Sequence, residues 1–112
     1  MGKFDDAVAS AKAQMKQQKI PCNDALLEAV AKSLGPSLYK ADARLVATSQ
    51  KSELATIRKN FLIKKLGCKD DAKLDKAMDK AIAKIGPSNR HKLRSVFYYV
   101  LVKEMKKESV FV

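Results

Sequence analysis

The chain has 112 residues, of which 46% are hydrophobic and 31% charged, and its net charge is +11. This length suits one domain, and area scaling predicts that about two-thirds of the unfolded chain's surface is buried on folding, so the core needs no disulfide or metal. The composition excludes a disordered chain, and no apolar run approaches the roughly 20 residues of a membrane span or resembles a secretory signal. We therefore expect a single cytoplasmic domain over residues 1–112.

Positive charge is concentrated in the second half of the chain. Residues 57–112 hold fifteen basic and six acidic side chains, and no acidic residue lies between Lys80 and Lys103. A field of this sign attracts nucleic acid, anionic lipid or acidic protein. The alternative is solubility, because nineteen of the 23 basic residues are lysines, which commonly occupy solvated helix faces.

The first two predicted helices precede Gly35. Residues 4–18 repeat apolar side chains at helical spacing, but their stripe is narrow and rich in alanine. We therefore predict that residues 1–20 form a loosely packed N-terminal arm. Residues 24–34 form the second predicted helix, with Asn23 or Asp24 as its N-cap.

Two further helices and one ambiguous segment occupy the middle of the chain. Residues 36–48 suggest a short helix or two turns, whereas residues 51–66 and 71–85 have clear helical periodicity. One side of the helix at 71–85 carries four lysines within about 80° of one another, Lys73, Lys76, Lys80 and Lys84. Their spacing suits a phosphate backbone, although a solvated face is the simpler interpretation.

The last predicted helix, residues 89–106, contains the longest uncharged apolar run in the chain, from Val96 to Val102. Apolar side chains surround its middle, which is typical of a buried helix. The run also has strand composition, but helical spacing continues on both sides and no second strand is available to pair with it. We predict an all-α fold, a compact bundle of five to six short helices around this central helix, with residues 107–112 as a tail.

The start of this last helix is the candidate working surface. Other predicted helices begin with acidic residues, which suit the positive end of the helix dipole, whereas this one begins with Arg90 and Lys92. A phosphate or carboxylate bound there would offset that cost. The alternative is an internal salt bridge to an aspartate, namely Asp42, Asp75 or Asp79. The candidate anion- or nucleic-acid-binding residues are Ser88, Asn89, Arg90, Lys92, Arg94, Lys76, Lys80 and Lys84.

Catalysis and metal binding have little support in the sequence. His91 is the only histidine, so that a nucleophile has few side chains available as its general base. The four glycines are isolated, so the sequence contains no glycine-rich phosphate-binding loop. Cys22 and Cys68 with one histidine cannot complete a zinc site. We expect no enzyme activity, no cofactor and no metal. We also expect reduced thiols, although a pairing of the two cysteines stays open.

Three segments resemble a family of small bacterial helical proteins, the domain-of-unknown-function family numbered 2853. They are DALLEAVAKSLGPSLY at 24–39, ELATIRKNFLIKKLG at 53–67 and GPSNRHKLRSVFYYVLVK at 86–103. The resemblance implies a compact helical protein of the bacterial cytoplasm. It carries over no functional residues, and it makes a zinc or nucleotide enzyme less expected.

Two functional hypotheses follow. The first is a small basic binding module that engages a polyanion such as nucleic acid without sequence specificity. The second is a protein–protein interaction or structural module, for example a homodimer, whose lysines serve only solubility. Its apolar surface would come from Tyr98, Tyr99 and Val102 or from the tail at 110–112. Neither hypothesis involves a membrane.

Overall fold

Helices account for most of the residues that the computed structural model describes, which are 2–35, 45–46, 50–86 and 92–111. They are α1 (Lys3–Gln17), α2 (Asp24–Leu34), α3 (Lys51–Ile57), a π-helix that continues α3 (Arg58–Lys65), α4 (Ala72–Ile85), α5 (Arg94–Glu104) and a 3-10 turn (Glu108–Val110). The all-α prediction is confirmed. Within the described ranges, extended pairing is limited to one antiparallel bridge, between Leu45 and Leu93.

Local signals in the sequence explain where α2 and α4 begin and end. The side chains of Asn23 and Asp71 each accept a hydrogen bond from a backbone N–H in the first turn of their helix. Each helix is followed by a glycine with positive φ, +58° at Gly35 and +108° at Gly86, a conformation that other residues adopt only with strain. The predicted ranges 24–34 and 71–85 therefore agree with the structure to within one residue.

The centre of the bundle is α5, which contacts α1, α2 and α4. Its buried side chains are Ser95, Val96, Phe97, Tyr99, Val100, Leu101 and Val102. Apolar side chains around the whole circumference leave this helix no face suited to water, so the other helices enclose it. The central position predicted for this segment is confirmed.

The start of α5 differs from the prediction of a helix over 89–106. Lys92 and Leu93 precede the helix in an extended conformation, with ψ of 135° at Leu93, and the first helical residue is Arg94. Their backbone groups have partners elsewhere in the fold. The Val46 N–H donates to the Lys92 carbonyl at 2.9 Å, and the Leu93 N–H donates to Oε1 of Gln14 at 3.0 Å. These tertiary hydrogen bonds take the place of another helical turn.

The predicted helix over 51–66 is helical throughout, but its second half is wound as a π-helix. At its end, the Leu66 N–H donates to the carbonyl of Phe61, five residues earlier, at 2.9 Å. A π-helix of this length is rare, because most occur as single turns inside α-helices. Phe61 and Leu62 of this segment are buried in the core.

The N-terminal helix shares the same core as the rest of the bundle. Val8, Ala11 and Met15 are buried, and α1 contacts both α2 and α5. The loose packing that we predict for residues 1–20 concerns local stability and stays a prediction. Most of the segment at 36–48 lies outside the described residues, and its described part, residues 45–46, is extended rather than helical.

The tail folds back onto the bundle. After the 3-10 turn, Phe111 is half-buried, and its ring centroid lies 6.5 Å from that of Phe61. The Nζ atom of Lys65 lies 5.8 Å from the centre of the Phe111 ring. In the described part of the chain, no helix combines the length and the apolar character that crossing a bilayer requires.

Candidate anion-binding site

The predicted anion site at the start of the last helix is only partly described. Ser88, Asn89 and Arg90 lie outside the described residues. Lys92 is 2% exposed, and burial lowers the pKa of its ammonium group. The Lys92 side chain therefore lies inside the fold, whereas a polyanion would bind on the surface. Lys92 also precedes α5 and so is not in the first turn of a helix.

Arg94 is the basic residue that does occupy the helix start, and an acidic side chain meets it there. Its Nη2 atom lies 2.5 Å from Oε1 of Glu53, and its Nη1 donates to the Tyr98 hydroxyl at 2.9 Å. Burial opposes the charge of Arg94, but Tyr98 and Glu53 outweigh it and raise the pKa of the guanidinium. Burial also raises the pKa of the Tyr98 hydroxyl, against the effect of Arg94.

The sequence suggested an internal salt bridge as the alternative for Arg90 and Lys92, and the structure shows one at Arg94, the first helical residue. The partner differs from the three aspartates that the sequence suggested, because Glu53 belongs to the first turn of α3 and is 41 residues distant. The side chains of Arg94 and Glu53 are 15% and 26% exposed. The pair is therefore screened by water less than a surface salt bridge would be.

The exposed lysines of α4 face the end of α5 across a shallow groove of about 330 Å³. The groove is lined by Lys73, Lys76, Ala77, Lys80, Glu104, Met105 and Lys106. Glu104 is mostly buried, with 16% of its side chain exposed, and its two oxygens face Lys84 at 2.7 Å and Lys80 at 3.8 Å. We call Lys73, Lys76, Lys80, Lys84 and Lys106 together the lysine groove.

The charges in the lysine groove do not cancel. Four lysines line the groove together with Glu104, and Lys84 pairs with the same carboxylate, so these six side chains carry an excess of four positive charges. Like charges at this density repel one another, and an external anion relieves that repulsion. The groove is therefore a surface with a net positive charge.

The candidate residues fall into two separate sets. Arg94 begins α5 and Glu104 ends it, so the two positions are about 15 Å apart along the helix axis at 1.5 Å per residue. The structure brings Lys76, Lys80 and Lys84 together but does not bring Arg94 to them. A single basic face formed by all the candidates is therefore not what the described residues show.

Beyond the row of lysines on α4, two charged groove residues were not suggested by the sequence, Lys106 and Glu104. Lys106 lies just beyond α5, where the chain adopts a φ of +55°, and no spacing relates it to the lysines of α4. Glu104 is the first acidic residue after the acid-free stretch that starts at Lys80. That position was the one feature of the sequence that indicated Glu104 as a partner of several lysines.

The tyrosines of α5 belong to the core. The Tyr99 hydroxyl accepts a hydrogen bond from the Asn23 N–H at 2.8 Å and donates to the Pro21 carbonyl at 3.3 Å. The Tyr98 ring stacks on Phe61 with ring centroids 4.0 Å apart. Among the described residues, Val110 is the large hydrophobic side chain that remains exposed. The homodimer hypothesis placed an exposed apolar surface on the back of this helix. In the structure, Tyr99 is buried and Tyr98 is half-buried.

The acidic pair Asp70–Asp71 has structural partners. Asp71 caps α4, and its carbonyl accepts a hydrogen bond from Arg58 at 3.1 Å. Arg58 also forms ion pairs with Asp70 and with Asp75, the latter at 3.3 Å. These contacts tie the π-helix to the start of α4. Across the described ranges, no group of three or more His, Cys, Asp or Glu side chains is placed to hold a metal ion.

Comparison with known proteins identifies a family. Residues 8–109 match the family described as "Protein of unknown function (DUF2853)". The match includes the three segments in which the sequence resembles this family, so that resemblance is confirmed. A comparison with curated proteins gives no match.

Proposed function

The chain belongs to the DUF2853 family, and from its geometry we propose that it is a small basic binding module that engages nucleic acid through the phosphate backbone. The observation that carries this proposal is the lysine groove, whose wall holds four lysines and Glu104, with Lys84 paired to the same glutamate. The proposed role requires no catalysis, cofactor or metal. The cytoplasmic location stays a prediction.

The dimensions of the groove support a polymeric anion over a single small one. From Lys73 to Lys84, α4 rises about 16.5 Å at 1.5 Å per residue. Duplex DNA carries one negative charge per about 1.7 Å of its axis, so a face of this length lies opposite several phosphates. A single phosphate group, with a charge of about −1.5 to −2, would leave about half of the excess charge in place.

The side chains available in the groove favour binding without sequence choice. Its cations are all lysines, which act as point charges, whereas base recognition typically uses the planar, bidentate guanidinium group. Arg58 and Arg94, the two arginines within the described ranges, form ion pairs inside the protein. We therefore propose contacts to phosphates and none to base edges.

The test is the salt dependence of binding to a mixed-sequence duplex, measured by fluorescence anisotropy. About four phosphate contacts predict a slope near −3.6 for log affinity against log salt. The double variant Lys73→Glu/Lys76→Glu should lose most of the affinity and flatten the slope by about 2. Lys3→Glu/Lys16→Glu on α1 changes the net charge equally, with both lysines exposed and outside the groove.

Two results would contradict the proposal. One is the absence of binding to DNA or RNA at about 50 mM salt, where an electrostatic interaction of this kind is strongest. The other is an equal loss of affinity in the groove variant and the α1 variant, since that would reflect net charge alone. The alternative of a homodimer stays a prediction, and sedimentation that shows only monomer would count against it.

A further inference from the structure

A second concave site lies at the other end of α5. It is a pocket of about 240 Å³ between the end of α2, the π-helix and the start of α5. The residues that matter to its chemistry are Leu34, Asn60, Phe61, Lys65, Arg94 and Tyr98. None of them lines the lysine groove, so that the two sites are distinct.

The π-helical winding places the polar side chains of one pocket wall. Asn60 and Lys65 are five residues apart, which in an α-helix separates them by about 140° around the axis. In the π-helix, an N–H bonds to the carbonyl five residues earlier, as from Leu66 to Phe61. Two residues five apart are then separated by close to one full turn, so that they lie near the same side of the helix. Asn60 and Lys65 therefore line the same pocket, together with Phe61. Shorter, single-turn π-bulges inside α-helices occur frequently at functional sites.

The charge of the pocket suits an anion with a single negative charge. Lys65 and Arg94 are the two cations in its wall, and Glu53 neutralises one charge through its contact with Arg94 at 2.5 Å. The remaining charge is that of one lysine. Lys65 is exposed, and its ammonium lies over the Phe111 ring. Among the residues that the structure describes, no carboxylate forms an ion pair with it.

The size and the apolar part of the wall define the remainder of the ligand. Pockets for drug-sized ligands start at about 300 Å³, so a volume of 240 Å³ suits a smaller molecule than a nucleotide. Leu34 and Phe61 provide an apolar surface beside the polar groups. A ligand that matches both parts has one anionic group and a short apolar body.

We propose that this pocket binds a small organic monocarboxylate. The carboxylate contacts the Lys65 ammonium and the Asn60 side-chain amide within the field of Arg94. The apolar body of the ligand packs against Leu34 and Phe61. This site is independent of nucleic-acid binding, because it shares no residue with the lysine groove.

Benzoate is a suitable probe, and benzamide is its uncharged counterpart of nearly the same shape. Titration of the isotope-labelled protein at constant ionic strength should show saturable amide shifts with benzoate, at a dissociation constant in the range of about 1–10 mM. The shifts should concentrate at Asn60, Lys65, Arg94 and Tyr98. Benzamide and inorganic phosphate should each bind more weakly, since one lacks the charge and the other lacks the apolar body.

A matched pair of variants tests the contact. Lys65→Gln should weaken benzoate binding by roughly two- to fivefold, the range expected for a partly exposed ion pair. Lys64→Gln, a substitution at the neighbouring exposed lysine that does not line the pocket, should leave it unchanged. Lys76→Glu in the lysine groove should also leave benzoate binding unchanged, while it weakens binding to DNA.

Several outcomes would overturn the proposal. The absence of saturable shifts up to about 50 mM benzoate would exclude the site at any useful affinity. Equal binding of benzamide would exclude an anionic ligand, and equal binding of phosphate would exclude the apolar body. Equal effects of Lys65→Gln and Lys64→Gln would show that benzoate responds only to the charge of the π-helix surface.

Discussion

Glu53 and Arg94 are 41 residues apart in the sequence, and their side chains meet at 2.5 Å. Glu53 lies in the first turn of α3, and Arg94 is the first residue of α5. The glutamate thus lies near the positive end of its own helix and also neutralises the basic residue that begins another. Glu53 thereby compensates the unfavourable position of Arg94 at the positive end of α5.

The first prediction concerns this pair. We expect Glu53→Gln to lower the free energy of unfolding by about 1–2 kcal/mol, because it removes a charged partner from a mostly buried guanidinium. Urea denaturation gives the measurement, and Glu28→Gln on the exposed side of α2 is the control with the same change of charge. Equal stability of the two variants would show that the pair contributes nothing beyond net charge.

The second prediction concerns the single acidic residue of the lysine groove. Glu104→Gln removes the partner of Lys80 and Lys84, so the affinity for duplex DNA should rise and the salt slope should steepen by up to about 1. Glu108→Gln is the control, because Glu108 pairs with Lys103 and does not line the groove. A weaker affinity in Glu104→Gln would mean that Glu104 positions the lysines rather than competing with phosphate.

The third prediction concerns the hydroxyl of Tyr99. Tyr99→Phe keeps the ring in the core but removes the hydrogen bonds to the Asn23 N–H and the Pro21 carbonyl. We expect a loss of about 1 kcal/mol in stability, because the partly buried Asn23 N–H then lacks its acceptor. Hydrogen exchange should become faster at the start of α2 and stay unchanged in α4. If hydrogen exchange became faster by the same factor throughout the protein, the hydroxyl would contribute to global stability and not to the local stability of α2.

The fourth prediction concerns pH. Burial lowers the pKa of Lys92 in the folded protein below its ordinary value of 10.5. Between those two pKa values the unfolded chain binds more protons, so that this lysine makes the free energy of unfolding rise with pH. The half-buried Tyr98, whose pKa is raised above 10.0, has the opposite effect at alkaline pH.

The comparison of wild type with Lys92→Met separates these two effects, since both proteins keep Tyr98. The stability of the wild type relative to the variant should increase as pH rises towards 10.5, because only the wild type loses the cost of a buried ammonium. Urea midpoints measured between about pH 8 and pH 10.5 give the difference. Parallel curves for the two proteins would show that the folded environment of Lys92 does not disfavour its charge.

Elements governed by neighbouring residues were predictable from the sequence. Asn23 and Gly35 mark the two ends of α2, and a cap at Asp71 marks the start of α4. The start of α5 was not predictable in this way, because the Lys92 carbonyl bonds to the Val46 N–H and the Leu93 N–H bonds to the Gln14 side chain. Those partners are distant in sequence, and helical propensity carries no information about them.

In the candidate site, too, features set by neighbouring residues were predictable and those set by distant residues were not. The lysines of α4 share a side of their helix as their spacing requires, and this was visible before the structure. Their shared glutamate and the partner of Arg94 come from other elements, so that no spacing rule could identify Glu104 or Glu53. The π-helical winding was also hidden, because the apolar pattern over 51–66 is compatible with an ordinary α-helix.

The position of α5 in the chain has a consequence for biosynthesis. α1, α2 and α4 all pack on this helix, yet each of them leaves the ribosome before it. At about 5–20 residues per second, roughly 4–14 s separate the synthesis of Leu34 from that of Glu104. During that interval the apolar faces of the earlier helices lack their common partner and are open to chaperones. The core that these helices share can therefore be completed only after α5 has been synthesised.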